Sequence, residues 1–436
     1  MFSAIARIFR TPDLRRKILF TIGIIALYRF GAHIPAPFVS YPNVQLCLEQ
    51  TAGTDGLMSL VNLFSGGALL QLSIFALGVM PYITASIITQ LLRVVIPHFE
   101  TLQKEGQAGQ AKLTQYTRYL TIALALLQST TLITVARTGQ LFGANTGVAA
   151  CDNLLTNDSV LSQAMMILAL TAGTGLIMWM AELVTERGIG NGMSLLIFTS
   201  IAASFPGALG AIWASNGFEI FALVILIGIV IIALIVFVEQ SQRRVPVQYA
   251  KRMVGRRMFG GTSTYIPIKV NMAGVIPVIF ASSVLYLPSL ISQFFDPESK
   301  WVEWINTYFT RGDHPIYIAT YALLTIFFAY FYVAITFNPE EVADNMKKYG
   351  GFVPGIRAGR PTADYLSFVL SRINFPGSLY LAFIALIPLI ALVLINANQN
   401  FPFGGTSLLI VVGVGLETVK QIDAQMQQRH YEGLLR

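Results

Sequence analysis

The chain returns ten times to apolar stretches, most of them near the length that crosses a lipid bilayer, about 20 residues for a helix. They run over about 18–36, 72–97, 117–137, 160–181, 193–206, 219–239, 272–294, 315–337, 376–396 and 405–423. A bilayer core holds no water to bond free N–H and C=O groups, so such segments cross as helices. The expected class is an all-α polytopic membrane protein with ten transmembrane helices. Composition agrees: 12% of residues are charged, against roughly 25% in a soluble protein, and the mean hydropathy is +0.63. Ten spans in 436 residues leave no room for a large soluble domain. A soluble α/β enzyme, a disordered chain and a secreted disulfide scaffold are excluded. The fifth segment is short, as a tilted or partly re-entrant span would be. Arg15, Arg16 and Lys17 followed by Ile18–Tyr28 have the outline of a signal peptide. Arg29 and Phe30 come next, with no small-residue cleavage site, so the stretch reads as a retained first span.

Lysine and arginine set the orientation. They gather before the first span (Arg7, Arg10, Arg15, Arg16, Lys17) and at the second-to-third connection (Arg93, Lys104, Lys112, Arg118). Arg187 marks the fourth-to-fifth turn, and two long loops, 240–270 and 338–374, carry most of the rest. The intervening loops hold almost none; Lys300 and Arg311 are the weakest point of the alternation. Both termini and both basic loops are therefore expected in the cytoplasm. The net charge of +7 belongs mostly to that face, where it can meet anionic phospholipid, RNA or an acidic protein. In the first basic loop Tyr249, Phe259 and Tyr265 are interspersed among arginines, and Pro246, Gly255, Gly260 and Gly261 suggest hairpin turns between short strands. The second contains Gly350-Gly351-Phe352-Val353-Pro354-Gly355-Ile356-Arg357. Both exceed the length a connection needs, which favours docking of a large anionic partner over topology alone.

Between the first two spans, Leu57, Met58, Leu60, Val61, Leu63 and Phe64 form a short apolar run that Ser65-Gly66-Gly67 breaks. It is too short to cross. Two readings stand: an interfacial helix on the outer leaflet, or a re-entrant segment in a protein-lined cavity. Two sets of five spans would face opposite ways, which permits an inverted pseudo-repeat with a pathway at its interface.

The chemistry is sparse. There is no phosphate-binding Gly-x-x-x-x-Gly-Lys-Ser/Thr, and Gly188–Gly192 reads as a tight cytoplasmic turn. His33, His98, His314 and His430 are scattered, so no metal or cofactor site is expected. Acids sit mostly at span ends (Glu182, Glu219, Glu239, Glu417, Asp423), which counts against an ion-coupled transporter of small solutes. Arg29, near the outer end of the first span, is expected to snorkel or to pair with a carboxylate. Cys47 and Cys151 both fall in predicted outer loops. They are either isolated thiols or a disulfide tying the first outer loop to the second.

Several long motifs then carry a resemblance. They include Phe64-Ser65-Gly66-Gly67-Ala68, Met80-Pro81-Tyr82-Ile83-Thr84-Ala85-Ser86, Gln115-Tyr116-Thr117-Arg118-Tyr119, Thr185–Gly192, Tyr249-Ala250-Lys251-Arg252, Lys269-Val270-Asn271, Phe337-Asn338-Pro339 and Phe403-Gly404-Gly405-Thr406-Ser407. From about Asp13 to Arg436 the chain resembles the SecY family, the central channel subunits of the bacterial Sec translocon. Departures such as Val79 and Thr84, where Ile and Ser are common, are conservative. The resemblance implies a clamshell of two inverted five-helix halves, 1–206 and 207–436, around an hourglass pore in the bacterial cytoplasmic membrane. The pore ring would be Val79, Ile83, Ile197, Ile279 and Ile410, with Ile276 and Met193 as further candidates. Branched apolar side chains around a constriction exclude ions by dewetting. Residues 57–70 would be the plug (Leu57, Leu60, Val61, Phe64, Ser65, Gly66, Gly67). Thr84, Gln128 and Asn271 would be polar contacts of a lateral gate. Arg357 would contact a motor or the ribosome, and Arg256 and Arg257, with Lys251 and Arg252, would suit phosphate. The implied partners are SecE, SecG, the SecA ATPase, the ribosome with its RNA and proteins, unfolded secretory polypeptides and their signal sequences. The expected function is translocation of such polypeptides and lateral release of apolar segments into lipid, without covalent catalysis. An accessory homologue serving few substrates stays open.

Overall fold

In the computed structural model the described residues are 11–50, 65–137, 154–157, 159–249, 252–254, 257–259, 263–292, 299–310, 314–395 and 405–432. The first helix, α1 (Pro12–Gly31), opens on Pro12 with Asp13 in its first turn and ends with Arg29 in its last. Both charges complement the helix dipole. A short outer helix, α2 (Tyr41–Gln50), follows. Next come α3 (Met80–Val95), α4 (Pro97–Lys104), α5 (Gln107–Arg137) and α6 (Val160–Arg187). Then α7 (Gly192–Gln240) runs as two arms across a break at Gly217, where φ is 77°. Its arms, Gly192–Gly210 and Gly217–Gln240, are each long and apolar enough to cross a membrane. So are helices in 107–137, 160–187, 315–348 and 360–387.

The second expected span is not one helix. Residues 72–79 form turns, and helix begins only at Met80. The cause is dihedral: Leu72 takes φ 46° and Gly78 φ 55°, values that end a right-handed helix. The outer segment 34–40 bonds to this irregular stretch, with Ala36 N donating to Leu72 O (2.9 Å) and Ile74 N to Ile34 O (2.9 Å). On its other side Ser40 N donates to Leu154 O and Thr156 N to Phe38 O, each at 2.9 Å.

The second half holds β1 (Gln242–Tyr249), β2 (Arg252–Val254), β3 (Arg257–Phe259), β4 (Ser263–Lys269), α8 (Ile276–Ser292), α9 (Lys300–Ile305) with a π-helical turn (Asn306–Thr310), α10 (Pro315–Thr336), α11 (Pro339–Lys348), β5 (Gly351–Phe352), α12 (Arg360–Ile395) and α13 (Gly405–Glu432). In β1, Val245 and Val247 point inward and the arginines outward, as a half-buried strand requires. β1 pairs antiparallel with β4 from Gln242↔Lys269 to Gln248↔Ser263. It also pairs with β5 through Gln248↔Phe352 and Tyr249↔Gly351. The two basic loops thus share one sheet, ordered β4-β1-β5.

Pairwise packing closes a circuit of helices. α3 packs on α5, α5 on α6, α6 on α1 and α7, α7 on α13, α13 on α12, α12 on α10, α10 on α8, and α8 back on α3.

Candidate constriction and gate

Apolar residues from six of these helices, α1, α3, α6, α7, α8 and α13, meet in one cluster that joins the two halves. Val79 (2% exposed), Ile197 and Ile410 are buried in one cluster with Tyr28, Phe75, Leu196 and Ile201. Ile83, Ile279 and Met193 pack partly buried against it. Five expected ring positions are therefore brought together. Val79 comes from the residue just before α3, Ile83 from the first turn of α3, Ile197 from the first arm of α7, Ile279 from α8 and Ile410 from α13. Ile276 packs instead against the core of the second half, a cluster that Ile83 also touches. The first arm of α7 is fixed by Asn191, whose side chain accepts from Met193 N and Ser194 N, the cap an Asn supplies. Branched apolar side chains that meet in this way disfavour ions and water between them.

The irregular stretch before α3 explains how Val79 reaches this cluster. Ser65, Gly66 and Gly67 form a turn, with Ser65 buried and its Oγ accepting from Leu69 N at 3.1 Å. Arg29 Nη1 donates to the Gly66 carbonyl at 3.0 Å. Among the described residues this charge is met by a backbone carbonyl, where a lipid contact or a carboxylate was expected. Leu57, Leu60, Val61 and Phe64 lie outside the described residues.

The expected gate residues are placed apart in their bonding. Thr84 Oγ1 donates to Met80 O within α3 at 3.0 Å. Gln128 is half-buried on α5. Asn271, 4% exposed, donates to Glu239 Oε1 at 2.6 Å and to Gly274 O at 3.2 Å. It therefore ties the root of α8 to the end of α7. Nothing in the sequence pairs Glu239 with Asn271, since they lie 32 positions apart and meet only because β1 and β4 pair between them. Arg118 and Glu182 form a second cross-link of this kind, bidentate between α5 and α6 at 2.8 Å for both bonds.

On the sheet, Arg243 and Arg244 are exposed, and the Arg244 guanidinium lies 4.9 Å from the centroid of Tyr265. Arg357 is exposed on the loop between β5 and α12. Thr362 Oγ1 donates to its carbonyl at 2.8 Å. Arg252 and Arg257 lie on the β2–β3 hairpin, and Lys251 and Arg256 fall outside the described residues. Cys47 is fully buried and disulfide-bonded; Cys151, the other cysteine of the sequence, falls outside the described residues.

Comparison with known proteins now bears on this geometry. The SecY family model matches residues 73–419. A protein translocase subunit SecY from Streptomyces galbus is 64% identical over 440 residues, covering all of both chains. Among solved structures, a SecY channel studied for how its plug domain stabilises the closed state covers 94% of this chain, and 92% of that chain is covered, at TM-score 0.62 and 19% identity. Sec61 in the canine ribosome–channel complex covers 94% of this chain, with 92% of that chain covered, at TM-score 0.58 and 17% identity. At those identities the solved structures speak for the fold.

Proposed function

This chain belongs to the SecY family, and from that premise we propose that its apolar cluster is the closed constriction of a polypeptide pore. The protein is a multi-pass helical membrane protein and a protein-conducting channel subunit, not an enzyme. The observation that supports the finer reading is the convergence of Val79, Ile83, Ile197, Ile279 and Ile410 inside a closed circuit of helices. In this reading ten spans form two inverted halves, 1–206 and 207–436, that part to let an unfolded secretory chain through. The break at Gly217, just beyond Pro206, suits the hinge between them. Residues 57–70 act as the plug, and α3 and α5 part from α8 and α10 to release apolar segments into lipid. Thr84, Gln128 and Asn271 line that seam. The termini and the β4-β1-β5 sheet face the bacterial cytoplasm. There Arg357, with Lys251, Arg252, Arg256 and Arg257, engages the SecA motor or ribosomal RNA and protein, beside anionic lipid. SecE and SecG complete the complex. Cys47 and Cys151 pair across the outer loops.

The test is resting ion flux in proteoliposomes holding the complex. Ile410→Ser places a hydroxyl where water is now excluded, and Ile279→Ser does so at a less buried position. Both raise resting flux while export persists. Flux unchanged in both variants, with the complex intact, contradicts the constriction.

A further inference from the structure

Arg29 lies in the last turn of α1, at the outer end of an apolar span, where its charge suits the helix dipole but its guanidinium still needs a polar partner. Its Nη1 donates to the carbonyl of Gly66, a charge-assisted bond stronger than a neutral one. Gly66 takes φ 66°, and a Cβ there would meet Arg29 Nη1 at 2.8 Å and Ser200 Cα at 3.0 Å. The turn is therefore wedged between α1 and the first arm of α7. The adjacent Tyr28 is fully buried. Its hydroxyl lies 2.6 Å from Ser200 Oγ, and its ring stacks on Phe75 with centroids 5.9 Å apart.

From Gly66 the chain reaches the constriction through short bonded turns. Leu69 N donates to Ser65 Oγ at 3.1 Å. Ser73 N donates to Ala68 O at 3.1 Å, and Gly78 N to Phe75 O at 2.9 Å. Phe75 and Val79 are then buried beside Ile197 and Ile410. No helix or strand spans 66–79 to hold it straight, so its position depends on its anchors.

We propose that Arg29 is a positioning residue of the closed channel: by bonding the Gly66 carbonyl it holds Gly66 beside Ser200 and seats the Ser65–Val79 stretch, and with it Val79 in the ring. This rests on the constriction reading above, but the anchor itself is a separate claim. Arg29 touches no translocating chain in this role. It sets how tightly the resting seal closes.

The experiment uses the purified translocon complex with Arg29→Ala, Arg29→Lys and, as references, Ile410→Ser and Ile279→Ser. Two quantities are read: resting ion flux in proteoliposomes, and backbone hydrogen exchange of residues 65–73. Loss of a charge-assisted bond should speed exchange there about 10- to 100-fold, and resting flux should rise. Arg29→Lys keeps a cationic donor and should recover part of both. A merely structural role would give no such rescue. Exchange and flux both at the wild-type level in Arg29→Ala would overturn the proposal. So would faster exchange without added flux while Ile410→Ser leaks, and that outcome leaves the constriction standing. If Ile410→Ser, Ile279→Ser and Arg29→Ala are all tight, the constriction reading and the proposal fall together.

Discussion

Gly173 and Gly175 lie two residues apart on α6 and so on different faces of it, and alanine at each should move stability in opposite directions. A Cβ on Gly173 would run into the carbonyl oxygen of Ile74, and would lie 3.0 Å from both the Ile74 carbonyl carbon and Cγ2. On Gly175 it would meet nothing within 4 Å. Ile74 cannot easily yield, because its N–H is tied to Ile34 O at 2.9 Å and Ser73 is bridged to Pro35. α6 or the 72–79 stretch must therefore retreat by about 1 Å to reach ordinary carbon contact. Overpacking of this kind costs about 1–3 kcal/mol. Both substitutions gain the same helix propensity, about 0.8–1 kcal/mol, so propensity cancels in the comparison. Gly173→Ala should then be less stable than Gly175→Ala by about 1–3 kcal/mol, or about 5- to 150-fold in the unfolding equilibrium. Thermal unfolding of the purified complex in detergent reads this difference, at about 2–4 °C per kcal/mol for a unit the size of the first half. Equal midpoints, or a lower midpoint for Gly175→Ala, would refute the close approach of α6 to Ile74.

Two further outcomes follow from the outer and inner faces. The denatured, unreduced protein should show no free thiol, and Cys47→Ser and Cys151→Ser should each cost about 2–4 kcal/mol, with no further loss in the double variant. Additive losses, or thiols titrating without reductant, would break the pairing. Arg357→Glu should impair motor-driven export while leaving stability within about 0.5 kcal/mol and resting flux unchanged; normal export would remove Arg357 from the docking surface.

Hydropathy read the helices well because lipid demands length and apolarity, and both are local. It misread 72–79, where Leu72, Phe75, Ala76 and Leu77 are as apolar as any span but Leu72 and Gly78 carry positive φ. No composition signal reports a dihedral. The division by hydropathy of 193–206 from 219–239 matches two helical arms, Gly192–Gly210 and Gly217–Gln240, that break at Gly217. The five ring residues are indistinguishable from core by pattern; only the family motifs singled them out, together with Ile276, which packs against the neighbouring core that Ile83 also touches. The pairing of β5 with β1 joins positions about a hundred residues apart, beyond any local periodicity. Arg29 was visible as an anomaly in an apolar span. Its partner was not, since a backbone carbonyl leaves no mark on a sequence.

The central claim is that polypeptide passes through the cluster around Ile410. A photocrosslinking residue at position 410, in membranes with a secretory precursor stalled midway through export, tests it directly. The account predicts an adduct with the precursor, absent when the probe is moved to a lipid-facing position such as Phe237, 75% exposed at the end of α7. A precursor arrested in transit that never crosslinks to position 410 would contradict it.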